Sequence, residues 1–333
     1  MQRLTENKIV LITRPTRLAE LIGRFNTAAQ ARFYVEHLGA DFSDYEREDK
    51  CYRQALAETR RILELLGRVQ VVERRFLPNY VFGPEDVIVT LGQDGLVANT
   101  LKYLRGQPVV GVNPDPARWD GQLLPFTIGD LNKLLPEVFR RRRPAKLVTM
   151  AEATLNNGQR MYAVNDLFIG VKGHGSARYR IQLGQAAEDH SSSGVIVSTG
   201  LGSTGWLKSL LTGAAAITQS ARASLTGRTM GELAGEEAGK AGAQKPPELT
   251  VRSAFAWDAD FLYFTVREPF PSKTTASRLV FGRITPQQPL TLVSQMAEHG
   301  VIFSDGIEQD FLEFNSGTRA VVGLAERKGL LVI

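Results

Sequence analysis

The sequence predicts an α/β N-terminal domain built on a parallel sheet, followed by a β-rich C-terminal domain. Three observations carry this. Short apolar runs alternate with helix starts over the first part of the chain. The pattern then changes after a basic run, Arg140 to Arg143, that ends at Pro144. Beyond it, strand-like segments follow one another with no long helix between them. The boundaries expected are residues 1–143 for the first domain and 144–318 for the second, with a flexible insertion near 219–250. A terminal segment, 319–333, is expected to return to the first domain.

The segment Lys8 to Thr13 is a continuous apolar run of the kind that forms a buried parallel strand. Two helix starts follow, Thr27 with Gln30 and Ser43 with Glu46, each spaced as a capping box. Val69 to Val72 and Asp86 to Leu91 read as further buried strands, and a helix begins near Gly95 and ends over Asn99 to Leu104. Pro108 to Val112 makes another strand. In the second part, Leu147 to Leu155, Arg160 to Val171 and Arg178 to Leu183 have strand composition, and Asn157-Gly158 turns the first into the second as a hairpin. Residues 215–248 are rich in Ala, Gly and Ser, and read as a helix continuing from Trp206 and then an insertion. Strands resume at Phe261 to Val266. There is no internal repeat.

Composition narrows the function. The 333 residues, 43% hydrophobic and 23% charged, suit a soluble globular chain with a large core. The net charge of +5 is spread along the chain, so small phosphorylated ligands explain it as well as nucleic acid does, and no nucleic-acid partner is expected. With Cys51 as the one cysteine, an intramolecular disulfide and a thiolate metal cluster are excluded. No apolar leader and no run of about 18 apolar residues is present, which predicts a cytoplasmic protein without a membrane partner. His37, His174, His190 and His299 lie far apart without ligand spacing, so no protein-bound metal is expected.

Two glycine-rich turns carry the chemistry. Gly200, Gly202 and Gly205 spell the G-x-G-x-x-G of dinucleotide-binding dehydrogenases, but no Asp or Glu occurs from Gly205 to Met230, where the ribose-holding acid of that fingerprint belongs. The turn also sits in the β-rich half. A dehydrogenase is therefore a poor reading. The other turn, Gly92-Gln93-Asp94-Gly95-Leu96, follows a strand and opens a helix, so that bare backbone amides and a helix N-terminus meet an anion. Asp94 then stands where a substrate hydroxyl meets a transferring phosphoryl group. Plain capping of the helix by Asp94 explains the residue equally well on its own.

Strand, Gly-Gly-Asp-Gly-Thr, helix is the first signature of the NAD kinase and diacylglycerol kinase superfamily, and residues 92–96 resemble it, with Gln93 for the second glycine and Leu96 for the threonine. Residues 198–206, Ser-Thr-Gly-Leu-Gly-Ser-Thr-Gly-Trp, resemble the NAD kinase segment Ser-Thr-Pro-Thr-Gly-Ser-Thr-Ala-Tyr, with Gly202, Ser203 and Thr204 in register. Ser191 to Gly194 take the place of its Ala-Asp-Gly. Asn165-Asp166 resembles the family's Asn-Glu pair, Val109 to Asn113 its Leu-Gly-Ile-Asn strand, and Ser304-Asp305-Gly306 its late Asp-Gly. The Gly-x-Leu-Gly-Phe-Leu that should follow Asn113 is replaced by Pro114 to Trp119.

The resemblance implies a NAD kinase-like two-domain architecture and phosphoryl transfer from ATP to the 2′-hydroxyl of the NAD adenosine ribose, giving NADP. It implies Asp94 as the group that orients or deprotonates that hydroxyl, with Gly92 and Gly95 leaving room for phosphates. Asn165 and Asp166 would hold the acceptor ribose, while Thr199, Gly202, Ser203 and Thr204 would line the dinucleotide site. Mg²⁺ would arrive with ATP, its partners being small-molecule nucleotides, and a homo-oligomer built through the β-rich domain is expected. Two other readings stay open: a kinase of the same superfamily acting on a sugar or lipid hydroxyl, and an inactive NAD- or ATP-binding sensor.

Overall fold

A computed structural model describes residues 5–225 and 254–333. The chain divides into two compact units, one comprising Met1–Met150 with Glu326–Ile333, the other Ala151–Ala325. Most of the insertion expected near 219–250 lies outside the described residues. Among them, no helix is long and apolar enough to cross a membrane.

The first unit is a parallel sheet. β1 (Lys8–Thr13) pairs with β2 (Arg68–Glu73) on one side and β3 (Val87–Leu91) on the other, and β3 pairs with β4 (Pro108–Val112). Beyond β4, Leu330 and Leu331 at the end of the last strand, β16 (Arg319–Val332), add a further parallel contact. The helices are α1 (Arg17–Phe25), α2 (Ala28–His37), α3 (Ser43–Leu66), α4 (Asp94–Leu101) and α5 (Leu131–Phe139). Tyr52, Ala55, Ile62, Leu63 and Leu66 of α3, with Leu131 to Val138 of α5, bury against Ile9, Leu11, Val89 and Val110 on one face of the sheet. Runs such as Ile9 to Ile12 are wholly buried because both sheet faces are used, which explains their unbroken apolar character.

Helix starts depart from the sequence reading at one place. Thr27 caps α2 as expected, its hydroxyl accepting from the Gln30 amide at 3.2 Å. Ser43 does not cap α3. The helix begins on Ser43 itself, whose amide and hydroxyl are both taken by the Asp41 carboxylate, so Asp41 supplies the acceptor that the Ser43–Glu46 box was expected to supply. α1, not foreseen, is capped by Thr16, which accepts from the Ala19 amide.

The second unit is a sandwich of two largely antiparallel sheets. β5 (Ala145–Leu155), which runs in from the first unit, turns through Gly158 at φ 87° into β6 (Arg160–Ala163). β7 (Asp166–Val171), β8 (Ala177–Leu183), β9 (Ala186–Ser192) and β10 (Val195–Ser198) follow, then α6 (Trp206–Leu225). The unit is completed by β11 (Leu262–Val266), β12 (Phe281–Ile284), β13 (Leu290–Ser294), β14 (Gly300–Ser304) and β15 (Ile307–Glu313). One sheet runs β12-β11-β10-β7-β14-β15. In the other, β13 lies between β8 and the first half of β16, and β8 continues to β9. Alternate residues of both sheets, among them Leu167, Ile169, Tyr179, Val195, Val197, Phe264 and Leu292, close one core, the period-two burial of strands with one face inward. On the outer face Phe168, Ile196 and Val301 pack against Trp206 and Leu210 of α6. The stretch 160–171, read from sequence as one strand, is broken at Val164 and Asn165.

Candidate active site

In the first unit the strand order places a topological switch point between β1 and β3. The chain leaves β1 through α3 to reach β2, and leaves β3 through α4 to reach β4, so the loops after β1 and β3 part company at their C-terminal ends. Ligands of open α/β sheets bind at such a crevice. Tyr52 of α3 ties the two loops together: its hydroxyl donates to the Leu91 carbonyl at 2.9 Å and accepts from the Arg14 amide at 3.1 Å.

The loop after β3 is residues 92–95. Gly92 is buried, and a Cβ there would meet Leu96 Cδ2 at 2.8 Å and Arg14 Cδ at 3.6 Å. The leucine that stands for the family's threonine thus fills the space beside Gly92. Gly95 is different: it is exposed and a Cβ would meet nothing within 4 Å, so the start of α4 is open to a ligand. Asp94 is the first residue of α4, and its side chain caps nothing in its own helix. Instead Oδ1 accepts from the Leu123 amide at 2.8 Å and Oδ2 from the Gln122 amide at 3.3 Å. The carboxylate is therefore fixed by backbone of another loop.

In the second unit the Asn165–Asp166 pair sits where β7 begins and β10 and β14 end. Asp305, in the left-handed region at φ 53°, turns its carboxylate onto this break and accepts from the amides of Val164 at 3.1 Å, Asn165 at 2.7 Å and Asp166 at 3.3 Å. Asp166 accepts from the hydroxyl of Ser198, its partner across the β7–β10 ladder. The Asn165 backbone carbonyl receives the Thr199 amide at 2.9 Å, while its side-chain amide makes no hydrogen bond among the described residues. Burial pushes the Asp166 carboxyl up to about 7, the Asp305 charge adds to this, and the Ser198 hydroxyl opposes it.

The turn at residues 199–205 spends most of its polar groups on itself. The Thr199 hydroxyl donates to the Val164 carbonyl and accepts from the Gly202 amide at 3.2 Å. The Ser203 hydroxyl donates to the Gly200 carbonyl at 2.6 Å and accepts from the Phe255 amide at 3.3 Å. Thr199, Gly202 and Ser203 are all buried, and Thr204 is the exposed hydroxyl of the segment. The glycines here serve close packing: a Cβ on Gly202 would lie 2.3 Å from the Asn165 carbonyl oxygen, and one on Gly200 1.9 Å from that of Ala256. Asp305 has a structural part that the sequence understated, its carboxylate holding the amides of Val164, Asn165 and Asp166. Its signal was an Asp-Gly pair between two strands, which announces a hairpin and not a carboxylate gathering three amides. Among the described residues no group of three or more His, Cys, Asp or Glu side chains is placed to hold a metal ion.

The chain thus has one unit built on a parallel sheet with helices and one built of two largely antiparallel sheets. Solved structures of NAD kinases share this fold over almost the whole chain. An NAD kinase from Archaeoglobus fulgidus in complex with ATP matches with a TM-score of 0.54 and 13% identity, covering 98% of this chain and 93% of that one. Yeast NADH kinase complexed with NADH matches with a TM-score of 0.52 and 15% identity, covering 98% of this chain and 84% of that one. No family model and no curated protein matches the sequence. At these identities the likeness establishes the fold.

Proposed function

We propose that this chain is a phosphotransferase that carries the terminal phosphoryl group of ATP to the 2′-hydroxyl of the adenosine ribose of NAD, producing NADP. The observation that carries the reading is Asp94: a carboxylate held by two amides at the switch point of the parallel sheet, beside the open backbone of Gly95. The neighbours of the same fold support it, one bound to ATP and the other to NADH.

In this reading the bond between the terminal phosphorus and its bridging oxygen breaks, the ribose oxygen takes its place, and ADP leaves. The hydroxyl proton passes to the Asp94 carboxylate, a general base fixed in orientation before substrate arrives. The amides at the start of α4 receive phosphate charge, with Gly95 giving the clearance. In the second unit, Asn165, whose side-chain amide makes no hydrogen bond among the described residues, and Thr204, the exposed hydroxyl of its turn, are the groups open to a dinucleotide. Asp166 and Asp305 shape the backbone that presents Asn165. Mg²⁺ would arrive with the nucleotide as part of the substrate, since magnesium seldom needs a cage of protein ligands.

The test is incubation of the purified chain with ATP, Mg²⁺ and NAD, followed by chromatographic separation of NADP. NADP is expected from the wild type, and D94N is expected to lose about 100-fold in kcat, within the range of a general base, while binding NAD normally by calorimetry. Tight NAD binding with no NADP at any nucleotide concentration would replace the enzyme with a sensor, and equal turnover in D94N would remove Asp94 from the chemistry.

A further inference from the structure

We infer that residues 113–124, the excursion after β4, form the positioning device of Asp94, and that the ion pair between Arg118 and Asp44 is its anchor; this rests on the reading of Asp94 as the general base. The segment is the one in which Pro114 to Trp119 replace the glycine-rich sequence expected after Asn113. It is a closed loop. Asn113 opens it, with its amide on the Phe126 carbonyl at 2.8 Å, its side-chain Nδ2 donating to the Trp119 carbonyl at 2.8 Å and its Oδ1 accepting from the Asp115 amide at 3.0 Å. Amides of Arg118 and Trp119 both fold back on the Asp115 carbonyl. Gly121, at φ 62°, makes the reversal that aims the next two amides, those of Gln122 and Leu123, at the Asp94 carboxylate. Beneath, Gly111 lets the Leu123 carbonyl sit flush on β4, where a Cβ would come within 2.0 Å of that oxygen.

Two side-chain contacts tie the loop to α3: the Cys51 thiol donates to the Pro114 carbonyl at 3.7 Å, and a charged pair makes the stronger link. Arg118 forms a two-pronged bond to Asp44 in the first turn of α3, Nη1 to Oδ1 at 3.0 Å and Nη2 to Oδ2 at 2.5 Å. Asp44 is itself bonded by Arg17 Nη2 at 2.7 Å, and Arg17 Nε meets Glu48, which also takes Arg14 Nη2 at 3.0 Å. The guanidinium groups of Arg118 and Arg17 hold the Asp44 carboxyl well below the usual carboxylate range. A planar fork on a carboxylate fixes orientation as well as distance, which a lysine does not. The loop after β1, the start of α3 and the 113–124 excursion are thereby joined by one chain of ion pairs, and the free end of that chain is the pair of amides on Asp94.

Arg118 and Asp44 are partly exposed, and such pairs add little to global stability. The two roles therefore separate experimentally. R118A, D44N and the double variant are compared with wild type for NADP formation and for amide hydrogen exchange across the folded chain. Positioning predicts a kcat lower by about 10- to 100-fold, the scale of a misplaced catalytic group, with KM for ATP and NAD within about twofold. It also predicts faster exchange confined to the amides of residues 122 and 123, an unchanged urea midpoint, and a double variant no worse than the more affected single one. Wild-type kcat in R118A, or a lowered kcat with unchanged exchange at 122 and 123, overturns the inference. A wild type that makes no NADP would instead count against the phosphotransfer reading, and the exchange arm then decides the bracing alone: unchanged exchange overturns it, localised acceleration supports it.

Discussion

Asp166 is the residue whose surroundings most change its own chemistry. Burial, with the Asp305 charge behind it, moves its carboxyl from 3.8 in model compounds up to about 7, against the pull of the Ser198 hydroxyl. The folded chain then binds a proton that the unfolded chain has released, so the stability this group supports is complete below about pH 4 and is lost as pH rises through about 7. D166N, which cannot titrate, is expected to gain on the wild type as pH increases from 5 to 8, at most by about 1.4 kcal/mol per pH unit crossed. Urea unfolding of both proteins at the two pH values checks this, and a stability difference independent of pH would show that Asp166 does not titrate there. At this scale the Asn165–Asp166 pair and Asp94 were legible as residue types in a recognisable order. The partners were not: three amides on Asp305, or a Thr199 hydroxyl turned onto Val164, depend on segments far apart in sequence.

The two glycine turns show how one residue type does opposite work in different elements. Gly202 leaves no room, its absent Cβ being replaced by the Asn165 carbonyl 2.3 Å away, whereas Gly95 leaves open space at the first turn of α4. G202A must force two backbones apart and is expected to cost about 1–3 kcal/mol or more. G95A meets nothing, and alanine suits a helix better than glycine by about 1 kcal/mol, so this variant is expected to be at least as stable as the wild type while losing NADP formation through the methyl group set in the phosphate path. Chemical denaturation and turnover measured on the same two proteins check the contrast; a G95A enzyme of full activity would take the phosphates away from this turn. In sequence both glycines look alike, because spacing records that a side chain is missing and not what occupies its place. The helix start at Ser43 makes the same point: the box spacing was present, but Asp41, two residues upstream, reached the amide first.

At the scale of the molecule, the change of pattern after Pro144 was legible because a parallel sheet covered on both faces and a sandwich leave different periodicities. The pairing of the far end of the chain with β4 leaves no local mark in the sequence, because the two segments lie more than 200 positions apart. Leu330 and Leu331 pair with Pro108 and Val109, Leu331 and Val332 are 1% and 2% exposed, and Arg143 donates to the Ile333 carbonyl at 2.7 Å while the Ile333 amide donates to that of Pro144 at 3.1 Å. Burying two such side chains contributes about 3–6 kcal/mol, a large part of the 5–15 kcal/mol that holds an ordinary domain together. Removal of Glu326–Ile333 also bares the β4 edge to water. The truncated chain is expected to lose exchange protection in β1, β3 and β4 and to unfold at markedly lower urea, while the β7 and β10 amides, whose pairing lies wholly in the second unit, keep theirs. Hydrogen exchange followed by peptide mapping distinguishes this from simple fraying of a terminus, in which β1 and β3 would stay protected and only the Pro108 and Val109 contacts would open.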